Sequence, residues 1–67
     1  MKIIDVMWFS ANEPVGIVLI NNGYDNIAYV KGIKGDGEKE DIQDIIDYGT
    51  KIPASYAKKL SDFLNEK

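Results

Sequence analysis

The sequence predicts an α+β fold, a three-stranded antiparallel β-meander followed by two α-helices (βββαα), as one ligand-binding domain over residues 1–67 that is homo-oligomeric. Three observations lead there. β-Branched and aromatic residues gather in three short runs in the first half of the chain. Two apolar stripes at helical spacing follow in the second half. Asn-Asn-Gly and Gly-x-Gly segments interrupt the pattern where the chain must turn.

Residues 2–9, Lys-Ile-Ile-Asp-Val-Met-Trp-Phe, read as the first strand. Residues 10–14 form a loop that Pro14 closes, and residues 15–20, Val-Gly-Ile-Val-Leu-Ile, read as the second strand. Asn21-Asn22-Gly23 is a hairpin turn signal, because Asn and Gly tolerate positive φ. Residues 26–33 make the third strand, and residues 34–37 break its pattern. A helix follows over 38–48, with Ile42, Ile45 and Ile46 at i, i+3 and i+4. Glu38, Glu40 and Asp41 fall in its first turns, where the helix dipole favours acids. Gly49 reads as a left-handed cap. Pro53 fits the first turn of a second helix. There Tyr56, Ala57, Leu60, Phe63 and Leu64 form one apolar stripe.

The second strand is apolar on both faces. Val15, Ile17 and Leu19 point one way and Gly16, Val18 and Ile20 the other. An antiparallel sheet with one wet face alternates, and this one does not. Two short helices can cover one face of a three-stranded sheet but not easily both, so the second face is expected to be buried against another copy of the chain; the alternative is an exposed face with scattered apolar residues. The size of the chain favours the second copy, since small domains lean on disulfides, metals or oligomerisation.

Composition removes several function classes. There is no cysteine and no histidine, so disulfides, thiolate metal sites and the commonest general base are missing. The net charge is −3, and all 8 basic residues are lysine. Duplex nucleic acid calls for a dense basic surface, often with arginine forks at base edges, and is not an expected partner. A small phosphate ligand needs only a few lysines in a local pocket. No apolar run approaches the ~20 residues that span a bilayer. The opening Met1-Lys2-Ile3-Ile4-Asp5 lacks the marks of a secretory signal. The expectation is therefore a cytoplasmic protein with no membrane partner, no cofactor and no metal.

No enzyme is expected either. Ser10, Ser55 and Ser61 have no motif context, and Glu40, Asp41, Asp44 and Asp47 have the spacing of a solvated helix face. Gly32-Ile33-Lys34-Gly35-Asp36-Gly37 joins a strand to a helix and reads either as an anion cradle or as a plain turn. It is not a Walker A loop, whose spacing and Lys-Ser/Thr pair are absent. Trp8 and Phe9 are neighbours on a strand, so their rings point to opposite faces. One of them, with Tyr29, could stack on a flat ligand such as a nucleobase. The candidate ligand-binding set is Trp8, Ser10, Tyr29, Lys31, Lys34, Gly35, Gly37 and Lys51.

A wider pattern runs through Met7-Trp8-Phe9-Ser10, Val15-Gly16-Ile17-Val18-Leu19, Ala28-Tyr29-Val30-Lys31-Gly32, Gly35-x-Gly37, Asp41-Ile42-Gln43 and Tyr48-Gly49-Thr50-Lys51-Ile52-Pro53. It resembles a group of small phage and prophage proteins similar to phage anti-CBASS sponges. The resemblance implies immune evasion in the cytoplasm of the infected bacterial host, by sequestration of cyclic dinucleotides such as 3′3′-cGAMP without cleavage. It also implies a homo-oligomer, tetrameric among such sponges. Val30-Lys31-Gly32 departs from that pattern, where Ile-Gly and a small or polar residue would stand. The alternative is a small phage inhibitor or adaptor that docks a host protein through the acidic helix face of Glu40, Asp41, Asp44 and Asp47.

Overall fold

The apolar character of both faces of the second strand decides the architecture. In the computed structural model, which describes residues 1–9, 14–33 and 39–65, this strand is β2 (Val15–Asn21), between β1 (Lys2–Phe9) and β3 (Asn26–Gly32). A fourth strand, β4 (Thr50–Pro53), lies beyond β3. The sheet order is β1-β2-β3-β4 and every neighbouring pair is antiparallel. The helices are α1 (Lys39–Tyr48) and α2 (Ala54–Asn65).

The helices take opposite faces. Ile45 of α1 is fully buried with Val18 and Ile20, flanked by Ile42, Ile46, Ile27, Tyr29 and Val6. Ala57 of α2 is buried with Ile17 and Ala28, flanked by Leu60, Leu64, Met7, Phe9, Leu19 and Ile52. Alternate residues of β2 thus serve two cores, one per helix. The radius of gyration is 11.1 Å, close to the ~11 Å expected for a compact chain of this length. The expectation that two short helices cannot cover both faces is corrected: α1 covers one face and α2 the other. The two-sided apolar pattern of β2 is satisfied without another copy.

β4 also departs from expectation. Residues 50–53 pair with β3 in the register Val30↔Thr50, Tyr29↔Lys51, Ala28↔Ile52 and Ile27↔Pro53. Pro53 ends this strand instead of opening the second helix, which begins at Ala54. An edge strand tolerates a proline, because no ladder partner needs the missing N–H. The buried stripe of α2 is also narrower than its apolar residues suggest. Ala57 and Ser61 are buried and Leu60 and Leu64 half-buried, whereas Tyr56 and Phe63 are exposed. Ser61 enters the core because its hydroxyl donates to the Lys58 carbonyl at 2.8 Å, which satisfies the polar group.

Two glycines set close approaches. A Cβ on Gly49 would collide with the Ile45 carbonyl oxygen and come within 3.0 Å of that of Val30. Gly49 has no positive φ, so it is not the left-handed cap its position suggested. It is needed where the end of α1 meets β3, and its amide donates to the Ile45 carbonyl at 2.9 Å. Among the described residues the positive φ lies at Gly23, at 100°, in the hairpin between β2 and β3. There the Asn22 carboxamide oxygen accepts from the amides of Tyr24 and Asp25 at 2.9 and 2.8 Å, an Asx-type closure that asparagine favours.

Candidate functional site

Four of the candidate ligand-binding residues, Trp8, Tyr29, Lys31 and Lys51, are described by the structure. Ser10, Lys34, Gly35 and Gly37 lie outside the described residues, as does the 34–37 stretch of the candidate anion cradle. The strand register collects the four on one face. Trp8 pairs with Gly16, and Gly16 with Lys31. In the next row Tyr29 lies between Val18 and Lys51. Gly16 and Val18 are two residues apart on β2 and share a face. Both rows therefore lie on the side that carries α1.

Gly16 makes the first row possible. A Cβ there would come within 2.7 Å of the Trp8 ring and 2.6 Å of the Ile45 Cδ1. The indole and α1 thus both rest on bare backbone. Trp8 keeps 37% of its surface exposed. Phe9, the next residue, turns to the other face and packs in the α2 core. Neighbouring strands are ~4.8 Å apart, so the Trp8 and Lys31 backbones lie roughly 10 Å apart across Gly16. The half-buried Lys31 donates from Nζ to the Gly32 carbonyl at 3.3 Å, leaving further N–H donors.

Tyr29 is placed differently. It packs half-buried against the Val18, Ile20 and Ile45 cluster, where α1 lies over the sheet. Lys51 is exposed and lines an open cleft of about 560 Å³ at the opposite end of the sheet, together with Asp25, Asn26, Ile27, Ile52, Pro53, Ala54 and Ser55. Asn26 was not among the candidate residues, and Ser55 was set aside for want of motif context. The signal was Pro53: a helix opening just after it leaves the first-turn amides around Ser55 without intrahelical partners.

Among the described residues no group of three or more His, Cys, Asp or Glu side chains comes together, and no helix is long and apolar enough to cross a membrane. Asp44 and Asp47 are exposed on α1, and the Gln43 amide donates to the Asp47 carboxylate at 3.0 Å. No protein-family model, curated protein or solved structure matches this chain.

Proposed function

We propose that the protein acts by stoichiometric capture of a cyclic dinucleotide of the 3′3′-cGAMP type, without cleaving it, as a phage immune-evasion protein in the cytoplasm of an infected bacterium. The observation that carries this reading is the Trp8-Gly16-Lys31 row. An indole with exposed surface and a lysine lie on one face, on either side of Gly16, over which the Trp8 ring edge and the Ile45 tip pack. A nucleobase stacks on the indole, a contact worth roughly 1–3 kcal/mol per base. The phosphate reaches Lys31. A twofold-symmetric ligand suits a homo-oligomer, in which equivalent residues of two copies meet its two halves.

Trp8 is the sole tryptophan, so its fluorescence reports the contact directly. Titration with 3′3′-cGAMP should quench the emission saturably, and heating the complex should release intact nucleotide. Trp8→Leu should weaken retention at least tenfold. Absence of quenching and retention at micromolar protein, or recovery of cleaved nucleotide, overturns the reading.

Exposed Asp44 and Asp47 favour the second reading, docking of a host protein on the acidic face of α1. It gains ground if the nucleotide has no effect and reversal of both aspartates to lysine abolishes capture of a host protein.

A further inference from the structure

The tip of the β2–β3 hairpin carries an asparagine followed by glycine, Asn22-Gly23, and both residues are exposed. In such a pair the glycine amide nitrogen can attack the asparagine side-chain carbonyl carbon and close a succinimide ring. Glycine favours the attack, because it has no Cβ to obstruct the approach and its backbone turns freely. The space around Gly23 is open, since a Cβ built there meets nothing within 4 Å. The folded turn nevertheless aims the two groups away from each other. The peptide nitrogen is planar, so a new bond from it must take the direction of its N–H. The Gly23 N–H points at the Asn21 carboxamide oxygen, at 2.9 Å. Asn21 is itself held, because its Nδ2 donates to the Asn26 carboxamide oxygen at 2.9 Å. The Asn22 carboxamide oxygen is pinned by the amides of Tyr24 and Asp25, and the Asn22 amide donates to the Asp25 carbonyl at 3.2 Å. Neither group turns toward the other while these bonds stand.

We infer that Asn22 is a site of spontaneous deamidation, and that Asn21 holds it unreactive in the folded chain. When the Asn21–Gly23 hydrogen bond opens, the Gly23 nitrogen gives its proton to solvent base and bonds to the Asn22 Cγ. The bond from Cγ to Nδ2 breaks, the nitrogen takes up a proton and leaves as ammonia, and the succinimide remains. Water then adds to one of its two carbonyls. Opening on one side gives aspartate and on the other isoaspartate. The net change is loss of ammonia and gain of water, with one negative charge added and nothing oxidised or reduced. Aspartate still offers an oxygen to the amides of Tyr24 and Asp25. Isoaspartate routes the chain through the former side chain, which adds a backbone atom between β2 and β3 and spoils that closure. The site lies at the far end of β2 from Gly16, so it is independent of nucleotide capture.

The test incubates the full chain in mildly alkaline buffer and locates aspartate and isoaspartate at position 22 by peptide mapping with mass spectrometry. Denatured in guanidinium, the wild type should deamidate at Asn22 about tenfold faster than when folded, or more. Asn21→Ala, shown to be folded by far-UV dichroism, should also deamidate about tenfold faster than the folded wild type. Asn26→Ala, which releases the Asn21 carboxamide, gives a second reading and should exceed the wild-type rate too. Asn21→Asp keeps an oxygen for the Gly23 amide and should stay as slow as the wild type. Equal rates in the folded and denatured wild type overturn the inference. So do folded Asn21→Ala and Asn26→Ala chains no faster than the wild type, or Asn21→Asp as fast as Asn21→Ala. A denatured chain that yields no isoaspartate at position 22 removes the site itself.

Discussion

At the scale of single residues, three glycines with different surroundings make a graded experiment. The ring edge of Trp8 and the tip of Ile45 occupy the space a Gly16 Cβ would need. Gly16→Ala should cost about 1–3 kcal/mol, the range for overpacking a filled site. At Gly49 the obstacles are the backbone carbonyls of Ile45 and Val30, which cannot rotate away. Gly49→Ala should therefore cost more than Gly16→Ala. Among the described residues Gly32 meets only the Pro14 carbonyl oxygen at 3.8 Å, an ordinary contact. Gly32→Ala should be neutral or stabilise by up to about 1 kcal/mol, since the unfolded chain loses freedom. Urea unfolding of the three variants gives the order; equal costs at all three would refute the packing account. Local sequence signalled the Asn22-Gly23 turn but not the roles of Gly16 and Gly49, because a glycine's neighbours across the sheet are distant in sequence.

At the scale of elements, each helix binds the sheet through one small patch. Ile45 is the fully buried contact of α1, and truncation to alanine should cost about 2–5 kcal/mol. A domain of this length holds roughly 3–10 kcal/mol in total. Ile45→Ala should therefore remove a large share of the stability and lower the urea midpoint clearly, whereas Tyr48→Ala, on an exposed side chain of the same helix, should change it little. Equal effects would mean that α1 is not anchored through Ile45. The boundaries of α1 and of the first three strands were nearly all legible, because their periodicity is local. β4 was not. It has four residues with only Ile52 half-buried, too few for alternation to show, and Pro53 carries the same signal at a strand end as at a helix start.

For the whole molecule, β2 is the shared element. Ile17 faces one core and Val18 the other, both fully buried. Neither helix can leave without exposing one face of the same strand, so unfolding should be a single cooperative transition. Trp8 fluorescence reports the α1 face and far-UV dichroism reports both helices; their urea curves should coincide. An earlier fluorescence transition would mean that the α1 layer opens alone. The homo-oligomer expected from a bare sheet face loses that basis at this scale, because α1 covers the face.

The sequence by itself determined where strands, helices and the Asn-Gly hairpin form. It also determined that β2 needs cover on both faces, since these properties follow from local conformational preference and apolar periodicity. Which cover each face receives was decided by tertiary structure. An apolar stripe makes a helix pack but does not say against which side. Here the four residues of β4 add to the sheet edge between the two helices, and the chain changes faces there. α1 is left over Val18 and Ile20, α2 over Ile17 and Ala28. The same register aligned Trp8, Gly16 and Lys31 into one row, although these residues are far apart along the chain.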